Sequence, residues 1–355
     1  MKKTPIFGII GTGSIGRMHL QALRSAGLTV AAIADPSAAA LDEAAPLAPD
    51  ARRYSDWREL LADPGITAVN LCTINALHLE LLRAAVATGK HVFCEKTMTI
   101  SAKEAREALG LRTEAGQAVQ IGYMKRFFPA SRWAKENLAA IGEPICATVR
   151  SFQGGGGGEG MFDSPDWRPT PDGPSRMRRF ASGGALNMAG SHMLDMTAWL
   201  LGKPLSVSCR TWSPPGYDAE LHAHALFQME CGALVHFEAA FSPLSSTGVY
   251  GNGWDEFIQI DGKKGRLELN YPLWNRPTDF PARARLYVES KKGWEEPSFP
   301  AVNAFQLELE AFAECCRTAQ PATPSIRDGA VVDCWIDACY ESASAGREAA
   351  FSLQT

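Results

Sequence analysis

Three glycines and the residues between them have the types and the spacing needed to hold a dinucleotide. The pattern G-x-G-x-x-G begins at Gly11, directly after the apolar run 5–10 and directly before the helical pattern 17–27. In this context the glycines allow a tight turn, a close approach of the backbone to a pyrophosphate, and close packing of the helix on the strand. The helix N-terminus then faces the phosphates. The predicted phosphate contacts are Gly11, Gly13, Ser14, Ile15 and Gly16.

Asp35 ends a second apolar run, 30–35, and bears on which nicotinamide dinucleotide the chain selects. A carboxylate at this position accepts hydrogen bonds from the adenosine ribose and repels a 2′-phosphate. We therefore predict NAD as the cofactor, with NADP disfavoured. The alternative is that Asp35 only caps the helix that follows it.

The chain up to residue 123 alternates apolar runs with helical patterns, which indicates a parallel sheet covered by helices. A serine N-cap at Ser101, followed by Glu104, is typical of a capping box. From residue 124 the pattern changes to longer alternating strands, hairpins and two closing helices. The predicted strands are 5–10, 30–35, 68–73, 91–96 and 118–123, the hairpins lie within 225–241 and 255–270, and the helices include 76–90, 101–116, roughly 302–319 and 327–345.

The stretch 72–101 resembles the glucose-fructose oxidoreductase / inositol dehydrogenase family, known as Gfo/Idh/MocA. Ile74 and Thr97 stand where this family usually has prolines, which alters the backbone but removes no chemical group. The resemblance implies that the matching residues lie at the cofactor. Those residues are Thr73, Asn75, His78, Glu95 and Lys96.

The resemblance continues through the segments 120–130 and 182–204 and through the closing helices. It implies an α/β N-terminal Rossmann domain, residues 1–123, and an α+β C-terminal domain, residues 124–355, with an open, mostly antiparallel sheet. The second domain would bind substrate and mediate oligomerisation, and the closing helices would be able to pack back on the first domain. In the family one face of the sheet is left free for a homodimer or homotetramer. Phe237, Ala239 and Phe241 are compatible with that face, and equally with a core.

Lys96 follows the predicted strand 91–96, at the carboxyl end where open parallel sheets bind ligands. Oxidation of a carbinol requires a hydride acceptor, a proton acceptor and a group that stabilises the reacting oxygen. An ammonium can hydrogen-bond that oxygen and stabilise its alkoxide character. A lone lysine after a strand is usually only surface charge. The resemblance assigns the catalytic and substrate-binding role to Lys96.

His192 is the candidate base, because imidazole exchanges protons near neutral pH. The resemblance of 182–204 to the family's second motif supports this role and places His192 at the substrate. The aspartate that the family has one helical turn earlier is replaced here by Met188. Asn187 is a candidate polar contact to substrate, and Asp195 is near enough in sequence to orient His192, although the family uses that aspartate structurally.

The segment 154–184 is rich in glycine and proline and is predicted to lack regular structure. It contains Phe162, Trp167 and four arginines, which suit stacking and hydrogen bonding of a polyhydroxylated or acidic ligand. We favour a substrate lid over a surface loop with no role. The predicted substrate contacts are Lys96, Lys125, Arg126, Trp167, Arg168, Asn187 and His192.

Charge, apolar runs and cysteine spacing argue against several classes of function. A formal net charge of −4 argues against a nucleic-acid partner, and no apolar run is long enough for a membrane span. Nine cysteines without CxxC or CxxH spacing favour a reducing cytoplasm and argue against a metal site. The predicted activity is NAD-dependent oxidation of a sugar, sugar acid or inositol. The alternatives are a sensor or regulator that binds NAD(P) without turnover, and a redox-neutral lyase or glycosidase that recycles NAD.

Overall fold

The computed structural model describes residues 4–154, 166, 168–171, 173–181, 183–276 and 278–354. These residues form two compact units, of which the first runs to Met124 and also includes residues 303–330. The second unit comprises residues 125–302 together with 331–355.

The first unit contains a parallel sheet of six strands in the order β3-β2-β1-β4-β5-β6. Central strands β1 and β4 are buried along their whole length, as expected for a parallel sheet covered on both faces. The order reverses between β1 and β4, which is where doubly wound sheets bind ligands. The strands are β1 Phe7–Ile10, β2 Val30–Ala34, β3 Arg52–Tyr54, β4 Ala68–Leu71, β5 His91–Cys94 and β6 Val119–Ile121.

Helices of the first unit lie between these strands, and one comes from the C-terminal part of the chain. That helix, α9, is capped by Asn303, whose side chain accepts hydrogen bonds from the first turn, and its Phe312 packs against the sheet. The ring of Phe312 lies 5.6 Å from that of Phe93 and 6.2 Å from that of Phe7. The helices are α1 Ser14–Ser25, α2 Ala38–Ala44, α3 Trp57–Ala62, α4 His78–Ala87, α5 Ala102–Leu109 and α9 Ala304–Thr318.

The second unit is built on a nine-stranded sheet in the order β14-β13-β12-β11-β7-β10-β9-β8-β15. Within this second sheet, only the β7–β10 pair is parallel among the strand pairs of the described residues. The strands are β7 Pro144–Gln153, β8 Pro204–Trp212, β9 His222–Met229, β10 Leu234–Phe241, β11 Trp254–Gly262, β12 Gly265–Tyr271, β13 Arg283–Val288, β14 Gly293–Glu295 and β15 Ala349–Ala350.

Helices cover the inner face of this sheet. The Trp335 ring lies 4.7 Å from the Phe227 ring, and Phe237 packs behind Gly190. The outer face carries both polar and apolar side chains. The helices of this unit are α6 Pro129–Asn137, α7 Arg176–Ala181, α8 Ser191–Leu201 and α10 Ile326–Ala345, and the boundary between the units falls within α10.

The fold class predicted from the sequence is confirmed: a Rossmann-type parallel sheet is followed by a mostly antiparallel sheet. Both predicted hairpins are present, as β9–β10 and β11–β12. The strand β3 was missed, and the helix predicted over 101–116 ends at Leu109 because Gly110 follows it. The prediction of no regular structure is wrong over 176–181, which is helical.

Phe237, Ala239 and Phe241 are core residues, each at most 1% exposed. They face the helices of their own chain, so they do not contribute to an outer surface. None of the helices in the described part of the chain is long and apolar enough to cross a membrane.

Candidate functional site

The glycine-rich turn has the geometry that its spacing predicts. Gly11 has φ +90°, and a Cβ there would lie 2.5 Å from the carbonyl oxygen of Cys72. A Cβ on Gly16 would lie 2.0 Å from the Gly11 oxygen, so only glycine permits this contact of helix and turn. At Gly13, by contrast, a Cβ would meet nothing within 4 Å. Open space therefore remains in front of the α1 N-terminus, where a pyrophosphate requires it.

Asp35 lies just beyond β2 and is held by two backbone N–H groups. Its Oδ2 accepts a hydrogen bond of 2.8 Å from Thr12, and its Oδ1 accepts one of 2.9 Å from Ser37. The contact with Thr12 connects the end of β2 to the glycine-rich turn. The contact with Ser37 is the local cap of the following helix, which was the alternative role considered for Asp35. Each carboxylate oxygen keeps a second lone pair, so both contacts are compatible with a ribose hydroxyl.

The loop 95–97 follows β5 and is fixed from both sides. Glu95 Oε1 lies 2.9 Å from His19 Nε2, and Glu95 Oε2 accepts a hydrogen bond from the Lys96 N–H at 3.1 Å. Asn75 Nδ2 donates to Thr97 Oγ1 at 2.8 Å. The Lys96–Thr97 peptide bond is cis. The Lys96 side chain is partly exposed, whereas its neighbours on both sides are buried.

His78 is fully buried and links this loop to the one that follows β4. Its Nδ1 lies 2.7 Å from the Thr97 oxygen, and its Nε2 lies 3.1 Å from the Thr73 oxygen. Burial lowers the pKa of His78 below its usual value. The histidine thus positions the two loops. Its predicted contact with the cofactor stays a prediction, as do those of Thr73, Asn75 and Glu95.

A buried polar cluster behind Glu95 was missed in the sequence. His19 is fully buried, and its Nδ1 lies 3.0 Å from Asn70 Nδ2. Glu308, from α9, is also fully buried. Burial, reinforced by the charge of Glu95, holds the pKa of Glu308 well above its usual value. The sequence did contain one indication of this cluster, because His19 follows Gly16 by three residues on an otherwise apolar helix face.

His192 lies in the first turn of α8, which continues a π-helical turn at Leu186–Gly190. Among the described residues from 183 to 197, only Met188 and His192 are partly exposed. The methionine therefore lies on the accessible side of the segment together with the histidine. Asn187 is 4% exposed, and its predicted contact with substrate stays a prediction.

Glu220 and Tyr340 fix the start of this segment and were not recognised in the sequence. Glu220 Oε1 accepts hydrogen bonds from the Leu186 N–H at 2.8 Å and from the Tyr340 hydroxyl at 3.0 Å. Burial raises the pKa of Glu220, and these hydrogen bonds oppose the shift. The backbone oxygen of Glu220 also accepts from Ala185 at 2.8 Å. The carboxyl group and the backbone oxygen of Glu220 therefore satisfy N–H groups that the first turn leaves without helical partners.

Gly184 is required by this close approach. A Cβ there would lie 1.9 Å from the Glu220 oxygen and 2.6 Å from its carboxylate. We expect Gly184→Ala to lower the free energy of unfolding by about 1–3 kcal/mol, as overpacking does. Denaturant unfolding checks this, with Gly293→Ala as the control, because a Cβ at Gly293 meets its nearest atom at an ordinary 3.7 Å. Equal stability of the two variants would contradict the account of this turn.

Lys125 and Arg126, predicted to contact substrate, lie in buried ion pairs. Arg126 donates from two nitrogens to Asp195, at 2.9 and 2.6 Å. Lys125 is paired with Glu256 and lies over the ring of Tyr271. Asp195 is thus paired with Arg126, as its structural role in the family implied, and this pairing gives no support to its orienting His192. The substrate contacts of both cations stay predictions.

The predicted lid is only partly described. Phe162 and Trp167 lie outside the described residues, so the predicted role of Trp167 stays a prediction. Arg168 is exposed, with its guanidinium 5.7 Å from the centre of the Tyr217 ring. Arg178 is also exposed and donates to the backbone oxygen of Asp218. These contacts attach the described part of the segment to the loop that precedes β9.

The family profiles match most of the chain. The profile of an oxidoreductase family with an NAD-binding Rossmann fold matches residues 6–123, and that of its C-terminal α/β domain matches residues 141–351. The chain is 27% identical to D-xylose 1-dehydrogenase (NADP(+)) 2 of Haloferax volcanii, over 96% of this chain and 98% of that protein. It is also 27% identical to inositol 2-dehydrogenase of Acidiphilium cryptum, and the match covers 95% of this chain and 93% of that protein.

Solved structures share the fold at lower identity. Levoglucosan dehydrogenase in complex with NADH and levoglucosan matches with a TM-score of 0.83 and 22% identity, covering 99% of this chain and 100% of that one. The family predicted from the residues of 72–101 and 182–204 is therefore confirmed.

Proposed function

Because this chain belongs to the Gfo/Idh/MocA oxidoreductase family, we propose that it is an NAD-dependent dehydrogenase of a sugar, sugar acid or inositol. The observation that carries the proposal is the position of Lys96. It follows β5, at the carboxyl edge of the sheet that also bears the glycine-rich turn, and its loop is held by His19 and His78. A partly exposed cation on a fixed loop at this edge suits stabilisation of a reacting oxygen.

The residues of the first unit fit a dinucleotide. Gly13 leaves open space before the α1 N-terminus, and Asp35 presents a carboxylate at the end of β2. Bound NAD would supply the acceptor for the hydride of the carbinol. Lys96 would hydrogen-bond the carbinol oxygen and stabilise negative charge on it. His192 would take the hydroxyl proton.

The experiment that tests this proposal is a turnover assay. Purified protein is mixed with NAD and a panel of polyols, sugars and sugar acids, and NADH absorbance is followed. We expect at least one member of the panel to be oxidised. Substrate consumption without net NADH, with product formed even when no cofactor is added, would favour the redox-neutral alternative instead.

A second candidate function is a sensor that binds NAD(P) without turnover. Met188 favours it, because this side chain lies on the accessible side of the α8 segment and offers neither charge nor a strong acceptor. Cofactor binding in calorimetry, without oxidation of any panel member, is the result that this candidate predicts.

Cofactor preference is proposed to follow from Asp35. A carboxylate repels the 2′-phosphate of NADP, so NAD(H) is expected to bind more tightly than NADP(H). Asp35→Ser should narrow the difference in dissociation constant, and Asp42→Ser, an exposed aspartate on α2, should leave it unchanged. Calorimetric titration with both cofactors measures this. Equal affinities of the unaltered protein for NAD(H) and NADP(H) would contradict the assignment of Asp35 to the adenosine ribose.

Subunit assembly is proposed to use the outer face of the second sheet, giving a homodimer or homotetramer. Exposed apolar side chains on this face include Leu226, Leu234 and Trp212. Sedimentation analysis should then show a dimer or tetramer, and Leu226→Lys should shift it toward the monomer.

A further inference from the structure

Glu308 is a buried carboxyl group to which the proposed catalysis gives no role. It lies on α9 in the first unit, and its side chain is fully buried. Within the described part of the chain, neither of its carboxyl oxygens has a hydrogen-bond partner. An ionised carboxylate without a donor is very costly in a protein interior, whereas a protonated one needs an acceptor for its own hydrogen. The burial of Glu308 therefore requires an acceptor nearby.

Glu95 is an acceptor within reach of Glu308. One side-chain atom from each of His19, Glu95 and Glu308 lies within 4.8 Å of the other two. Gly122 leaves space beside Glu95, because a Cβ there would lie 2.9 Å from Glu95 Oε1. A rotation about the side-chain bonds of Glu308 would bring its carboxyl group into hydrogen-bond distance of Glu95.

The hydrogen bonds of Glu95 favour it as the ionised member of this pair. The Asn70 amide nitrogen, which can only donate, lies 3.0 Å from His19 Nδ1, so this ring nitrogen accepts. His19 Nε2 then carries the hydrogen that is donated to Glu95 Oε1 at 2.9 Å. Glu95 Oε2 accepts from the Lys96 N–H at 3.1 Å. Hydrogen bonds of this kind stabilise the charged form of a carboxyl group, and Glu308 receives none from the described residues.

We propose that Glu308 is a positioning residue for Lys96 and holds a proton that it donates in a hydrogen bond to Glu95. This bond fixes Glu95 from the side of α9, in addition to the bond from His19 on α1. Glu95 in turn holds the backbone N–H of Lys96, so the start of the loop 95–97 is anchored to two helices. The proposal rests on the proposed function, in which Lys96 contacts the reacting oxygen.

The part of α9 that carries Glu308 is fixed against its neighbours. The ring of Phe305, one turn earlier on the helix, lies 5.9 Å from that of His19. Gln120 Nε2, on β6, donates to the backbone oxygen of Glu308 at 3.4 Å. Packing on one side and a hydrogen bond on the other therefore keep the Glu308 carboxyl group next to Glu95.

The titratable side chains around Glu308 also favour a retained proton. They include His19 on α1, Cys72 after β4 and Glu95 after β5. Burial raises the pKa of the Cys72 thiol well above its usual value. Burial, together with the charge of Glu95, has the same effect on the pKa of Glu308. None of the three neighbours carries a permanent positive charge that would stabilise an ionised Glu308.

Infrared spectroscopy tests the protonation of Glu308 without any need for turnover. A protonated carboxyl group has a carbonyl stretch that is separate from the bands of carboxylates and of the peptide group. The difference spectrum between the unaltered protein and Glu308→Gln at neutral pH should contain the band of one carboxylic acid. Glu310→Gln, which replaces an exposed glutamate on the same helix, should not remove this band. A difference spectrum without the band would overturn the proposal.

Steady-state kinetics on a substrate identified in the turnover assay test the positioning of Lys96. Glu308→Leu has no hydrogen to donate and should lower kcat by at least about 10-fold, since a displacement of about 1 Å at a reacting group can cost on the order of 10²-fold. Glu308→Gln should keep kcat within a few-fold of the unaltered protein, because its amide can donate to Glu95 as the acid does. The control Glu310→Gln should leave kcat unchanged.

Thermal melting and calorimetric titration with NAD separate positioning from loss of structure. Leucine removes a buried polar group that lacks a donor, so Glu308→Leu should melt close to the unaltered protein and bind NAD with similar affinity. If Glu308→Leu does not fold, the kcat of Glu308→Gln and the infrared difference decide in its place.

Equal kcat of Glu308→Leu and the unaltered protein would overturn the positioning role. A loss of kcat in Glu308→Gln as large as that expected for Glu308→Leu would overturn it as well. Absence of turnover in the unaltered protein would instead contradict the proposed function, and the infrared difference would still decide whether Glu308 holds the proton.

Discussion

Replacing Lys96 by alanine is expected to lower kcat by about 10²–10³-fold, the effect of removing a donor to a developing oxyanion. The lysine side chain is partly exposed on a loop that other residues hold in place. The loop should therefore keep its conformation when the side chain is lost. Steady-state kinetics on a substrate identified in the turnover assay measure the loss of kcat. Calorimetric titration with NAD measures separately whether cofactor affinity has changed.

The matched control is Lys103→Ala, an exposed lysine on α5 in the same unit. It should leave kcat unchanged. NAD should bind Lys96→Ala with an affinity close to that of the unaltered protein, because the proposed contact is with the reacting oxygen. Activity of Lys96→Ala within a few-fold of the unaltered protein would show that this lysine is not catalytic.

Loss of His192 should have the second large effect. General acid–base assistance contributes about 10²–10⁴-fold, so His192→Ala should lower kcat within this range. The rate of the unaltered protein should rise through a single ionisation in the neutral range, and the rise should disappear in His192→Ala. A pH–rate profile of both proteins is the measurement.

Met188→Ala is the control for His192, because both side chains lie on the accessible side of the same segment. Methionine has no proton to exchange, so this change should act on KM or on stability and leave the pH dependence intact. If His192→Ala and the unaltered protein turn over equally, the base is another residue.

Local spacing predicted the parts of the site that lie within one stretch of chain. The glycine-rich turn, the cap at Ser101 and the place of Asp35 directly after β2 depend on residues close in sequence, and the structure has each of them. The short strand β3 was missed because its sequence, RRY, carries two charges and has no apolar run. β3 lies at the edge of the sheet, where side chains are less buried, so the strand does not need a continuous run of apolar residues.

Contacts between distant residues could not be predicted in the same way. His19 and Glu95 are 76 residues apart, and Arg126 and Asp195 are 69 apart. Glu220 reaches Leu186 from 34 residues away. Nothing in the local pattern of either partner indicates the other, because the pairing is created by the order of strands and the packing of helices. Charged residues in the core are the sign that such pairs exist, since burial without a partner is costly.

The transfer of deuterium from substrate to cofactor tests the central claim most directly. A substrate that is active in the turnover assay is labelled with deuterium on its carbinol carbon and oxidised in the presence of NAD. Mass spectrometry of the recovered cofactor should show one deuterium in NADH, and none when unlabelled substrate is oxidised in heavy water. Recovery of oxidised, unlabelled cofactor while substrate is consumed would contradict the proposed hydride transfer.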